Sequence, residues 1–121
     1  MDYPQRLVST SYPFLSIRFE VRGQRGEGLA LLDTGFDGDL VIPNFWLARR
    51  LGFADGRSSW ELADDSVIDA PVYLGVLEIV GLASIPDMAI TILGNEYILG
   101  RGILDLFEVT FDHGQRVIVR P

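Results

Sequence analysis

The stretch GLALLDTGFDGDLVIP, residues 28–43, decides the fold, because its unbroken apolar run ends in a carboxylate. Residues 29–32 are too uniformly apolar for a strand with one face in water, and short enough for a strand buried on both faces. Asp33 ends the run, and Asp37 and Asp39 follow within six residues. Since a buried carboxylate is unfavourable unless a partner or a reaction uses it, we expect Asp33 to be functional.

The composition is that of one ordinary folded domain. The 121 residues are 48% hydrophobic and carry 17 acidic and 10 basic residues, a net charge of −7, and no cysteine. A chain of this length buries enough surface to fold without a disulfide or a metal. The arginines form no basic stripe, which excludes nucleic acid as a partner, and the lack of cysteine excludes thiol catalysis. Since there is no signal region and no clean apolar stretch of about 18 residues, we expect a cytoplasmic protein without a membrane partner.

Short strands joined by turns account for most of the chain. LSIRFEV, residues 15–21, alternates apolar and polar side chains as a half-buried strand does, and RGQRGEG supplies a hairpin turn. Residues 58–81 predict a long hairpin with its tip near residues 64–66, and residues 107–120 predict a terminal hairpin that turns at residues 112–114. MAITILG and YILG predict buried strands. These elements indicate an all-β domain.

Two short helices are predicted between the strands. Asn44 is suited to cap the first, FWLARRL fills about two turns, and Gly52 follows where a left-handed stop is favoured. Trp46 of this helix is expected to pack on the strands. RGILDLF, residues 101–107, predicts one further helical turn near the carboxyl end.

Three interpretations of Asp33-Thr34-Gly35 are compared: an ordinary turn, a calcium-binding loop and a catalytic carboxylate. The tripeptide alone is typical of an ordinary Asx turn. A calcium loop is disfavoured, because Gly35 and Asn44 stand where that template needs a ligand and a bidentate glutamate, so no metal is expected. Two carboxylates that share a proton activate a water molecule, as in the aspartic-protease dyad. The chain contains one Asp-Thr-Gly, so such a dyad requires two chains.

The segments ALLDTGFDGDLVIP and YILGRGILDLF, in this order, resemble the retropepsin-like aspartic proteases, the clan of the retroviral enzymes and of short stand-alone bacterial members. The resemblance covers residues 15–119. It implies that Asp33 is the catalytic carboxylate and pairs with Asp33 of a second copy. It further implies that Thr34 hydrogen-bonds across the two-fold axis and that Gly35 lets the substrate chain approach closely.

The resemblance also implies supporting and substrate-binding residues. Ile98, Leu99 and Gly100 are expected to pack behind the active-site loop, and Arg101 to pair with Asp37 and brace the dimer. Residues 60–73 are expected to form a flap that closes over bound peptide. The flap residues expected to bind substrate are Leu62, Ala63, Asp64, Asp65, Ser66 and Val67.

Some features depart from the retroviral pattern or allow two interpretations. Residues 57–74 contain no glycine, although the retroviral flap tip is rich in it. Residues 1–14 form a lead-in, and residues 15–121 are expected to be the protease domain. The strand at residues 116–120 pairs either across a dimer or within one subunit. Trp60 lies either in a substrate pocket beneath the flap or in the core, His113 is expected in a turn, and Asp39 in a solvated turn.

These inferences predict a small closed retropepsin-like β-barrel with one or two short helices. The predicted function is that of a homodimeric aspartic endopeptidase that hydrolyses peptides or proteins without a metal or an organic cofactor. The alternative is a non-catalytic dimeric module of the same fold that binds extended peptides by strand addition.

Overall fold

The secondary structure is almost entirely β. A computed structural model of the chain describes residues 6–121. Within this range the short helices are a 3₁₀ helix (Asn44–Ala48) and α1 (Arg101–Leu104). The strands are β1 (Leu7–Ser9), β2 (Phe14–Val21), β3 (Gln24–Leu32), β4 (Leu40–Ile42), β5 (Gly56–Glu61), β6 (Val67–Ile79), β7 (Ala83–Ile92), β8 (Tyr97–Leu99), β9 (Glu108–Asp112) and β10 (Arg116–Arg120).

Six of these strands close into a barrel. They are hydrogen-bonded in the order β2-β3-β8-β4-β7-β6, and β6 returns to pair with β2. The pairs β3–β8 and β4–β7 are parallel, whereas the other neighbours in the barrel are antiparallel. Alternate residues of β2 point into the core as its sequence predicts, namely Leu15, Ile17, Phe19 and Val21. The expected all-β fold, a small closed barrel with short helices, is therefore confirmed.

Strand β3 is buried on one face only, which corrects the expectation of two buried faces. Ala30 and Leu32 lie in the core, with 0% and 7% of their surface exposed. Leu29 is 49% exposed, and Leu31 is half-buried. The reason is that β3 is a wall of the barrel, so that one face turns to the core and the other outward.

The first helix is shorter than predicted and is not capped by Asn44. Pro43 holds the cap position without a side-chain hydrogen bond, and the backbone N–H of Asn44 donates to the carbonyl of Gly94. Only Trp46 of this helix is buried, so the helix has no apolar face that would stabilise two full α-helical turns. Trp46 packs on the barrel as expected, with its ring centroid 4.9 Å from that of Phe19.

The terminal hairpin joins β1 in a small sheet of its own, ordered β1-β10-β9. Both edges of β10 are paired within the chain, to β1 and to β9, so the pairing of residues 116–120 is intramolecular. His113 and Gly114 take left-handed backbone conformations in the turn, with φ of 53° and 70°. The predicted lead-in thus contributes β1 to this sheet, while residues 1–5 lie outside the described residues. The domain boundary at residue 15 stays a prediction.

Candidate active site

Strand β3 delivers Asp33 to a turn that fixes its carboxylate. The backbone N–H of Asp33 donates to the carbonyl oxygen of Leu99 at 3.0 Å, which extends the parallel β3–β8 pairing by one residue. The backbone N–H of Gly35 donates to Oδ1 of Asp33 at 2.8 Å, and that of Phe36 donates to the Asp33 carbonyl at 3.2 Å. An Asx turn is therefore present, and it holds the half-buried Asp33 side chain in one orientation.

The segment that begins α1 is fastened to the same loop by backbone hydrogen bonds. The N–H groups of Gly100, Arg101 and Gly102 donate to the carbonyls of Asp39, Phe36 and Gly38 at 2.9, 2.7 and 2.9 Å. A Cβ atom built on Gly100 would overlap the Gly38 carbonyl oxygen and the Phe36 ring. Glycine at position 100 therefore permits the close approach that ties Ile98, Leu99 and Gly100 to the Asp33 loop.

Thr34, Asp37 and Arg101 face solvent around this loop. The Thr34 hydroxyl makes no hydrogen bond to another side chain or backbone group of residues 6–121. Asp37 and Arg101 form no ion pair with each other or with any other described residue. The single chain therefore does not make the pair expected between Asp37 and Arg101, and a brace between two copies stays a prediction.

Asp39 has a structural role, which corrects the expectation of a solvated turn. Its side chain is half-buried, and Oδ2 accepts a hydrogen bond from the backbone N–H of Ala89 in β7 at 2.9 Å. A Cβ atom built on Gly102 would overlap Oδ1 of the same carboxylate. Since glycine has no side chain, position 102 leaves room for the Asp39 carboxylate. In the sequence, Gly102 is the residue that could have indicated this contact.

A cavity of about 180 Å³ opens beside Asp33. Its apolar walls come from the active-site loop, β4, β5 and β8 with the segment before it, and they are Phe36, Val41, Trp60, Leu93 and Ile98. The polar side chains in its lining are those of Asp33, Asn95 and Glu96. The sequence analysis missed Phe36 and residues 93–96. Residues 93–96 connect β7 to β8 and are held at the end of β4, where the Leu93 N–H donates to the Ile42 carbonyl, and local patterns do not predict that this connection reaches the cavity.

The hairpin of β5 and β6 contains most of the segment expected to form a flap, and β5 pairs only with β6 within the described residues. Its tip is closed by a hydrogen bond from Leu62 to the Ser66 carbonyl at 2.8 Å, and Asp65 takes a left-handed conformation with φ of 65°. The Ser66 hydroxyl and backbone N–H both donate to Asp64, and they lower the pKa of that carboxyl. Asp64 and Ser66 therefore fix this turn without a glycine.

The β5–β6 hairpin reaches the Asp33 cavity through Trp60 rather than through its tip. None of Leu62, Ala63, Asp64, Asp65, Ser66 and Val67 lines the cavity, whereas Trp60 does. The Trp60 ring lies against the Phe36 ring of the active-site loop, with centroids 5.1 Å apart and planes at 33°. The indole Nε1 of Trp60 is buried and has no hydrogen-bond partner among residues 6–121. Trp60 therefore lines the cavity and does not belong to the buried core, while its role in binding substrate stays a prediction.

Comparison with solved structures identifies the architecture. The chain matches the crystal structure of a retropepsin-like aspartic protease from Rickettsia conorii with a TM-score of 0.65. The match covers 98% of this chain and 92% of that chain. The chain has the retropepsin-like fold. At 16% sequence identity the likeness is one of fold. No family model matches the sequence, and no curated protein matches it either.

The described residues outside the Asp33 region form no second site with the properties of a catalytic or metal-binding centre. A concavity of about 500 Å³ on the outer wall shares no lining residue with the Asp33 cavity. Its charged side chains are largely paired with each other, as in the contact of Arg18 with Glu27 and Glu78. Residues 6–121 contain no cluster of three or more carboxylate or imidazole groups placed to hold a metal ion. Neither helix in this range is long and apolar enough to cross a membrane.

Proposed function

We propose that the protein is a homodimeric aspartic endopeptidase in which Asp33 of each of two copies forms the catalytic pair. The observation that carries the proposal is the placement of Asp33. It stands at the end of β3, in the wall of a cavity, in a loop fastened to β8 and α1 by backbone hydrogen bonds. Rigid placement of a reactive carboxylate on a strand end is what an efficient active site requires.

The chemistry follows from two adjacent carboxylates that share one proton. A water molecule between them loses a proton to the ionised Asp33, and its oxygen attacks the carbonyl carbon of the peptide bond. The protonated Asp33 of the other copy hydrogen-bonds the oxygen that becomes negative. The proton taken from water then passes to the amine nitrogen, the C–N bond breaks, and a carboxylic acid and an amine leave.

Three features of the loop support a second copy. The chain has one Asp-Thr-Gly, so the second carboxylate has to come from another chain. The hydroxyl of Thr34 is exposed and has no partner among residues 6–121, which leaves it for a contact between copies. Asp37 and Arg101 are exposed and have no ion-pair partner among residues 6–121, so an ion pair that braces the dimer is available to them. Arginine suits this role because its planar fork grips a carboxylate at two points.

Two features of the β5–β6 hairpin support the proposal that the substrate is an extended peptide. A buried N–H without an acceptor costs about 1–3 kcal/mol, and the carbonyl oxygen of a bound peptide would satisfy the Trp60 indole. The tip residues Leu62 and Val67 are 41% and 65% exposed, as expected of side chains that cover a ligand when a flap closes. The expectations of a cytoplasmic location and of a reaction without metal or cofactor remain predictions.

The experiment compares the wild type with Asp33→Asn. The amide that replaces the carboxylate keeps an oxygen that accepts the Gly35 N–H, so the variant is expected to fold. Both proteins are incubated with a diverse peptide mixture between about pH 3 and pH 7, and the products are identified by mass spectrometry. Cleavage by the wild type alone supports the proposal. Equal cleavage by both proteins would rule out Asp33 as the catalytic group.

The second candidate function is a dimeric module that binds extended peptides without cutting them. The observation that favours it is the flap tip, where Asp64 and Ser66 lock a turn that contains no glycine. A locked tip suits strand addition to the flap edge. If neither the wild type nor Asp33→Asn cleaves the peptides, and both proteins bind them, this alternative would be established.

A further inference from the structure

We propose that the cavity beside Asp33 is a specificity pocket for a basic side chain, lysine or arginine, of the bound peptide. The inference rests on the proposed function, since it names the substrate class of the same site. It depends on three properties of the lining: its volume, its charge and its aromatic rings.

The volume suits one side chain. Sites for drug-sized ligands commonly measure about 300–1,000 Å³. The cavity of about 180 Å³ is smaller, and apolar side chains such as Val41 and Leu93 form most of its wall. An unbranched aliphatic stem, as in lysine and arginine, fits apolar walls of this kind while its charged end reaches a polar group.

The charge of the lining is negative. Asp33 and Glu96 are the ionisable side chains in it, and no arginine within residues 6–121 lines the cavity. Glu96 is exposed and makes no ion pair or side-chain hydrogen bond with the described residues, so its carboxylate is available to a ligand. A cationic end group gains a charge-assisted hydrogen bond there, whereas an acidic side chain is repelled.

The aromatic rings favour the same ligand. Phe36 and Trp60 stand together in the wall, with their ring centroids 5.1 Å apart. A cation within about 6 Å of an aromatic ring face is attracted by its electrons, most strongly for tryptophan. An apolar side chain of the same length gains the burial but neither the carboxylate nor the cation–π contact. The pocket therefore discriminates lysine from an apolar residue of similar shape, such as methionine.

To test this proposal, the sequences of the peptides cleaved by the wild type are aligned at the cleaved bond, and the frequency of each residue is compared at every position near it. We expect Lys and Arg to be enriched about tenfold over Met at one position near that bond, and Asp and Glu to be depleted there. Glu96→Gln should remove most of the enrichment, and Glu96→Arg should turn it into a preference for Asp and Glu. Cleavage without any enrichment of basic residues would overturn the pocket while leaving the proposed function intact.

The matched control is Glu27→Gln, which removes the same charge from a side chain that does not line the Asp33 cavity. It is needed because a net charge of −7 attracts any basic peptide without a pocket. An enrichment that falls equally in Glu27→Gln and Glu96→Gln would reduce the effect to overall charge and would also overturn the pocket.

A binding measurement separates failure of the pocket from failure of the protease. Fluorescent peptide pools that carry Lys, Met or Glu at one fixed position are titrated with Asp33→Asn and followed by anisotropy. We expect the Lys pool to bind about tenfold tighter than the Met pool, and the ratio to collapse in Asp33→Asn with Glu96→Gln. This result without any cleavage by the wild type would refute the endopeptidase and support the pocket. Equal affinity for the three pools, or no binding, would refute the pocket.

Discussion

The amide nitrogen of Asp33 lies 3.0 Å from the carbonyl oxygen of Leu99, to which it donates a hydrogen bond. This hydrogen bond is the last one of the parallel pairing between β3 and β8, and it lies where β3 ends and the Asp33 loop begins. The residue that carries the carboxylate is thus hydrogen-bonded through its own backbone to the segment that leads into α1. The position of Asp33 therefore depends on how closely residues 99–102 approach the loop.

Gly100→Ala tests this approach. Its Cβ atom would overlap the Gly38 carbonyl oxygen and the Phe36 ring, and since one of these is backbone, the loop has to shift. We expect a loss of about 1–3 kcal/mol in the free energy of unfolding, measured in urea, and a marked loss of any peptide cleavage. Gly56→Ala is the matched control, because nothing lies within 4 Å of its added methyl group. Equal stability of the two variants would show that the approach is not tight.

Asp39→Ala and Asp37→Ala separate two acids that look alike in the sequence. Asp39→Ala leaves the N–H of Ala89 without its acceptor and should lower the free energy of unfolding by about 1–3 kcal/mol. Asp37→Ala alters an exposed side chain without a partner in residues 6–121 and should change it by less than about 0.5 kcal/mol. Both are measured by urea unfolding at a dilution that gives monomers. The reverse order of effects would contradict the structural role of Asp39.

Mixed dimers test whether the two carboxylates come from two chains. Wild-type protein is equilibrated with a roughly ninefold excess of Asp33→Asn, so that about a tenth of the wild-type chains pair with each other. If one Asp33 per dimer is insufficient, cleavage per wild-type chain should fall by about tenfold. The control is the same excess of an unrelated protein. Unchanged activity per wild-type chain would mean that a single Asp33 suffices.

Asp55 at the base of the flap should make stability depend on pH. The Leu74 N–H donates to its carboxylate at 2.9 Å and Arg22 pairs with it at 3.0 Å, and these two contacts, in this order of effect, lower its pKa. A depressed pKa in the folded state stabilises the protein above the pKa of the unfolded state, and this stabilisation is lost as the pH falls through the folded pKa. The stability of the wild type relative to Asp55→Asn should therefore be constant above about pH 5 and shrink below about pH 4.

Urea unfolding of the two proteins across this pH range measures the difference. The control repeats the comparison in an Arg22→Gln background, where only the Leu74 N–H remains to hold the carboxylate and the dependence on pH should weaken. A relative stability that grows as the pH falls would have the wrong sign and would contradict the pKa shift of Asp55.

Local sequence patterns predicted the elements of this fold better than the contacts between them. The alternation in residues 15–21 predicted β2 correctly, because it depends on neighbouring residues alone. The apolar run that ends at Asp33 predicted only the end of β3, which begins at Gln24 inside the segment expected to be the hairpin turn. The burial of Leu29 was predicted wrongly, since leucine occupies both faces of β3 and the sequence does not mark which face meets the core.

The roles of the acids and aromatic residues around Asp33 depended on contacts over long distances in the chain. Asp39 and Asp37 look equivalent in the sequence, and what distinguishes them is Ala89, which is 50 residues away from Asp39. The Trp60–Phe36 contact likewise joins the β5–β6 hairpin to the Asp33 loop, and no local pattern indicates it. The roles of Asp33 and of the hairpin at residues 60–73 were expected from the family resemblance and stay predictions, whereas no pattern pointed to Glu96, which lines the cavity from the connection between β7 and β8.

The parallel pairing of β3 with β8 also determines when the site can exist. Contacts between distant segments form late in folding, because a long loop has to close before they add stability. The loop that carries Asp33 is fastened by residues near Leu99, and Asp39 by Ala89, so a chain emerging from the ribosome cannot organise this carboxylate until residues 89–102 have been synthesised. A protein proposed to cut other chains would therefore have no organised Asp33 loop until the β3–β8 pairing has formed.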